Sequence, residues 1–136
     1  MRKVLVLSGF FLTLASCQMA EPRASLTPLP EKVTPLPYGQ LLTRARAQAT
    51  RATEALFVDN FAEVESAARG LEQTAEYLLK AEDVPAKHKD TLATMAADLG
   101  KLAKELREAA TSKDAEKANE ILGRINAKVR SLRLAD

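Results

Sequence analysis

Five of the chain's six prolines, Pro22, Pro28, Pro30, Pro35 and Pro37, fall within residues 20–37, and only Pro85 follows them. Proline fixes φ and lacks an N–H, so a segment this dense in it is barred from helix and favours extended polyproline II. Everything from Tyr38 onward is open to helix. Apolar residues there recur three and four apart, first as Leu42, Ala45, Ala49, Ala52 and Leu56, then as Phe61, Val64, Ala68, Leu71, Ala75 and Leu78. A third set is Leu92, Met95, Leu99, Leu102, Leu106 and Ala109, and a fourth is Ala118, Ile121, Leu122, Ile125, Val129 and Leu132. Each is a one-sided stripe, the pattern of a helix that buries one face. No alternating run competes as a strand.

The breaks between stripes carry their own chemistry. Asp59 and Asn60 can cap the second helix, and Asn60 with Glu63 has the spacing of a capping box. Pro85 suits the first turn of the third helix, where its missing N–H costs little. Thr111, Ser112 and Asp114 offer caps for the fourth. Joints of about three to five residues force neighbouring helices to run antiparallel. The predicted fold is therefore all-α, an antiparallel up-down-up-down four-helix bundle over residues 38–136, about 30 Å long at ~1.5 Å per residue. Residues 17–37 are predicted to be a proline-rich disordered tether. Gly70, Gly100 and Gly123 fall inside the second, third and fourth helices, where close packing and surface neutrality are both open explanations.

The first sixteen residues read as an address. Arg2 and Lys3 precede an apolar run over residues 4–14, shorter than the ~20 residues that span a bilayer but suited to a signal peptide. The run ends in Leu14, Ala15, Ser16 and Cys17, and this stretch resembles the bacterial lipobox. An ordinary secretory leader cut near Ala15 and Ser16 is the competing reading. The resemblance implies signal-peptidase recognition through Leu14, Ala15 and Ser16, cleavage ahead of Cys17, and acylation of that thiol with diacylglyceryl and palmitate-type chains. Several acyl chains anchor firmly where one alone binds marginally. The protein would then be a lipoprotein of the cell envelope facing the periplasm, and Gln18 after the cysteine points to the outer membrane over the inner. Because Cys17 is the only cysteine, no disulfide is available and the domain depends on packing.

The formal charge of +2 comes from the leader, since removing Arg2 and Lys3 from 20 basic residues leaves 18 against 18 acidic. A balanced chain does not suit nucleic-acid binding. No nucleophile with a base, no isolated carboxylate pair and no glycine-rich phosphate loop occurs, so the chain reads as no enzyme. His88, flanked by Lys87, Lys89 and Asp90, reads as a solvated side chain without metal-ligand partners, so no metal site is predicted. Phe57 and Phe61, four apart, are predicted to pack on each other near the cap, with an exposed aromatic patch for a partner as the other reading. Arg44, Arg46 and Arg51, and Arg124, Lys128, Arg130 and Arg133, read as solvated faces, with an anion or lipid-headgroup patch as the alternative. Ala45, Ala49 and Ala52 permit either close helix approach or a residual pocket.

Asn60, Phe61, Ala62, Glu63, Val64 and Glu65, followed by Ala67, Ala68 and Leu71, resemble the second helix of cytochrome c-prime-like bundle proteins. Lys104, Glu105, Leu106, Ala109 and Ala110, then Lys113, Asp114, Ala115 and Glu116, resemble their third helix and the turn into the fourth. The resemblance covers roughly residues 40–134 and implies the bundle fold, with a haem attached through two cysteines and a histidine on the last helix. Aligned on Arg133, those positions hold Ile125, Lys128 and Val129, so the haem chemistry is gone. Non-covalent haem fares no better: His88 and Met95 lie seven residues apart on one predicted helix, Met19 lies in the tether, and no cofactor is predicted. The favoured reading is a lipid-anchored, non-catalytic binding or structural module for an envelope protein. The alternative is a haem-less cytochrome-like carrier of a small ligand or metal. A homodimer is compatible with both.

Overall fold

In a computed structural model of the chain, residues 26–32 and 34–133 are described. Leu14, Ala15, Ser16, Cys17 and Met19 lie outside the described residues. The described residues are all-helical, with five helices and no strand: α1 (Tyr38–Phe57), α2 (Phe61–Leu78), α3 (Ala86–Lys89), α4 (Leu92–Thr111) and α5 (Ala115–Ser131). The third predicted helix is thus divided. Pro85 caps the four-residue α3, and Asp90 and Thr91 turn the chain before α4 begins.

Every residue of the four predicted stripes is buried except Leu56, Phe61 and Met95, which are half-buried. Burying a Leu, Ile or Val side chain stabilises by roughly 1.5–3 kcal/mol, so the stripes supply the main driving force. α1 packs on α2 and α5, α2 on α4, and α4 on α5. Each long helix therefore has two long neighbours. Ala45, Ala49 and Ala52 are all buried to within 1 %, which favours close helix approach over a pocket along that stripe. Polar groups enter the core where they satisfy each other: the Thr74 hydroxyl donates to Gln48 Oε1 at 2.8 Å, and both residues are buried.

Two turns at one end share one construction. After α1, Asp59 N donates to Leu56 O and Asn60 N to Ala55 O; after α4, Lys113 N donates to Ala110 O and Asp114 N to Ala109 O. These are Schellman closures, which satisfy the carbonyls left over at a helix end. Asp59 and Lys113 take the left-handed conformation there, at φ 54° and 56°. Asn60 and Asp114 then cap the next helix, accepting from Glu63 N at 3.2 Å and Lys117 N at 3.0 Å. Of the three caps offered for the last helix, only Asp114 serves. The Thr111 and Ser112 hydroxyls turn back to carbonyls of α4 instead.

Candidate functional site

The opposite end is closed by side chains that take up carbonyls of the chain just after α5, at Leu132 and Arg133. Tyr38, fully buried at the start of α1, donates its hydroxyl to Leu132 O at 2.6 Å. His88 Nε2 lies 3.0 Å from Arg133 O. A carbonyl only accepts, so Nε2 carries the proton in this bond. The two rings lie 5.9 Å apart at 30°. His88 is therefore not the solvated residue that Lys87, Lys89 and Asp90 predict; it is 7 % exposed. The break between α3 and α4 is the reason, since it lets α3 deliver His88 to the end of α5. Met95 Sδ accepts from the Thr91 hydroxyl. Among the described residues no three His, Cys, Asp or Glu side chains group as metal ligands.

Upstream of α1 the proline-rich segment is held, not free. The Gln73 side chain pairs with both backbone groups of Leu29, accepting from N at 2.8 Å and donating to O at 2.7 Å. The Tyr77 hydroxyl donates to Pro30 O at 2.6 Å, and Arg44 Nη2 donates to Thr27 O. Glu82 N donates to Leu36 O and Tyr38 N to Glu82 O, fastening the strap to the chain after α2. Leu29 and Leu36 pack against the core. The expectation of a disordered tether over residues 17–37 thus does not hold for the part from Thr27 onward. Proline removes N–H donors from this segment but leaves its carbonyls, and the long donors on α1 and α2 meet them. Burial lowers the pKa of the Arg44 guanidinium beneath the strap, and Tyr77 partly opposes the shift. Gln73 was not singled out in the sequence, because a lone glutamine on a helix carries no local signal.

At the Schellman end, Phe57 is 89 % exposed and Val58 73 %. The predicted packing of Phe57 on Phe61 does not form. Ala55 is buried and Leu56 half-buried, so they take the inward positions of the last turn, and Phe57 faces outward. Pocket-like space beside it is lined by Thr53, Leu56, Phe57, Ala115 and Asn119.

Of the basic edges predicted as solvated faces, Arg51, Arg124 and Lys128 are in ion pairs, as is Arg107 outside them. Arg51 meets Glu63 at 2.8 Å, Arg107 meets Glu72 at 2.6 Å, Lys128 meets Asp98 at 2.8 Å and Arg124 meets Glu105 at 3.5 Å. The hydrogen bond from Lys128 holds the Asp98 carboxyl below the usual carboxylate range. On α5, Ile125 and Val129 lie in the core, while Lys128 is paired with Asp98. Compared with known protein families, curated proteins and solved structures, the chain matches none.

Proposed function

We propose that this chain is a lipid-anchored envelope lipoprotein, cleaved ahead of Cys17 and acylated there, whose helices form a non-catalytic docking module for another envelope protein. In this reading the protein faces the periplasm from the outer membrane. The four long helices run up-down-up-down as an antiparallel bundle. Contacts between helix ends support that arrangement: Tyr38 at the start of α1 meets Leu132 after α5, and Arg51 late in α1 meets Glu63 early in α2. The resemblance to cytochrome c-prime-like bundles is kept as the proposed ancestry, with the haem face turned into core at Ile125 and Val129.

The observation that carries the docking role is the exposed pair Phe57 and Val58. Leaving a large aromatic and its apolar neighbour in water forgoes ~25 cal/mol per Å² of apolar surface, which a partner surface can recover. A benzophenone amino acid placed at Phe57 tests this in intact cells. A discrete crosslink to one envelope protein, lost in Val58→Asp, is expected. Crosslinking no stronger than from the exposed polar position Lys101 would sink the docking role. The anchor is tested separately by intact mass of the protein from its native membrane, expected as residues 17–136 plus diacylglyceryl and one acyl group.

A further inference from the structure

Eight arginines fall among the described residues, and five are engaged elsewhere in the chain: Arg44 by the strap, Arg51 by Glu63, Arg69 by Glu65, Arg107 by Glu72 and Arg124 by Glu105. The other three, Arg46, Arg130 and Arg133, make no ion pair among the described residues. All three line one groove of about 490 Å³ between α1 and α5. Among the described residues no Asp or Glu lines it. Thr50, one turn along α1 from Arg46, and Asn126, one turn before Arg130 on α5, add neutral hydrogen-bonding groups to the same wall. Gly123 leaves one end open, since a Cβ built there meets nothing within 4 Å.

Three guanidinium groups facing one volume without a carboxylate repel each other, and an anion in the groove relieves that repulsion. Helix dipoles account for Arg130 and Arg133 at the end of α5, but not for Arg46, which sits in the third turn of α1 away from either end. A neighbouring groove of about 470 Å³ between α4 and α5 shows the contrast. Its wall carries a carboxylate, Asp98, beside its cations Lys101, Arg124 and Lys128, and Arg124 and Lys128 are paired with Glu105 and Asp98. Arginine's planar fork matches the oxygens of phosphate, and a groove of this volume exceeds one phosphate group, leaving room for the organic part of an ester. Among the described residues no aromatic side chain lines the groove to stack a base.

We propose that the α1/α5 groove binds a phosphate ester, with Arg46, Arg130 and Arg133 on the phosphate oxygens and Thr50 and Asn126 on hydroxyls of the ester. The shared chemistry is an anionic phosphate on a small polyol, supplied by a phospholipid headgroup or by a soluble ester. The site is separate from the Phe57 end and does not depend on the docking role proposed there.

The test is NMR of the arginine Nε–Hε groups with the full chain in phosphatidylcholine nanodiscs. Glycerol 3-phosphate is titrated against sodium chloride at matched ionic strength, and phosphatidylglycerol is introduced into the discs in a second series. Saturable shifts at Arg46, Arg130 and Arg133, with Arg69 and Arg107 unmoved, are expected. Shifts with glycerol 3-phosphate identify a soluble ester as the ligand; shifts only on phosphatidylglycerol discs identify the headgroup. Arg46→Gln with Arg130→Gln is expected to weaken binding at least about tenfold, while Arg69→Gln leaves it unchanged. These three positions are exposed, so the substitutions leave the fold intact. No selective shift in either series, or an equal response at Arg124, overturns the proposal.

Discussion

Gly70 and Gly123 both sit inside helices, yet they respond to opposite constraints. A Cβ on Gly70 would stand 2.6 Å from Gln48 Nε2 and 3.1 Å from its Cδ, whereas one on Gly123 meets open space. Replacing helical glycine by alanine gains up to ~1 kcal/mol in propensity. At Gly123 that gain is realised. At Gly70 it is offset, because Gln48 must move and its bond from Thr74 is strained. Gly70→Ala is expected to be less stable than Gly123→Ala by about 1–2 kcal/mol in urea unfolding, given ~0.5–1.5 kcal/mol for such a hydrogen bond. Tyr38 gives a pH signature. Burial raises its hydroxyl above the ordinary value of 10.0, with Arg46 partly opposing. A folded pKa above the unfolded one means stability fully present below pH 10 and lost as pH rises through the folded value. Tyr38→Phe, which leaves Leu132 O without its partner, is expected to cost about 1–3 kcal/mol at neutral pH. The gap between wild type and variant should close above pH ~10. The difference between glycines was not legible in the sequence, since it depends on Gln48 of another helix. The burial of His88 was equally hidden: its neighbours Lys87 and Lys89 are exposed, and its partner carbonyl lies 45 residues away.

Elements whose causes are local were the legible ones. Leu71, Leu99 and Ile125 fall at helical spacing and are fully buried, and Asn60 caps α2 through the N–H of Glu63, three residues on. The division of the third helix was not legible, because Asp90 and Thr91 include neither proline nor glycine. The two Schellman turns give a prediction of their own. Lys113 holds φ 56°, where a side chain costs roughly 1–2 kcal/mol and glycine does not. Lys113→Gly is expected to stabilise the protein by about 0.5–1 kcal/mol, read as a higher thermal midpoint, after the greater chain entropy of glycine is subtracted. The strap is an element without secondary structure, and its proline content describes it as extended without revealing that it docks. Gln73→Ala removes both bonds to Leu29. Hydrogen exchange should show the Leu29 amide losing protection while amides in α4 keep theirs; protection retained at Leu29 would mean that packing of Leu29 and Leu36 holds the strap unaided.

For the molecule as a whole, the strap alters how the helical domain is attached to whatever lies upstream. Residues 20–37, read as a free spacer, would reach roughly 55 Å at ~3.1 Å per residue, yet from Thr27 onward the chain is fastened along α1 and α2. Cys17 and Leu26 are nine residues apart, a separation of about 30 Å at full extension. Any load entering through residue 26 meets the bonds at Thr27, Leu29 and Pro30 in turn, well before it reaches α1. Freeing residues 27–37 releases a contour of at most roughly 34 Å at ~3.1 Å per residue. Single-molecule pulling from residue 26 is therefore expected to show extension of up to that length ahead of helix unfolding, beginning at lower force in Gln73→Ala, which loses both bonds to Leu29 and keeps those at Thr27, Pro30 and Leu36. The strap is a slack store, a mechanical fuse that lengthens the leash under tension and leaves the helices whole.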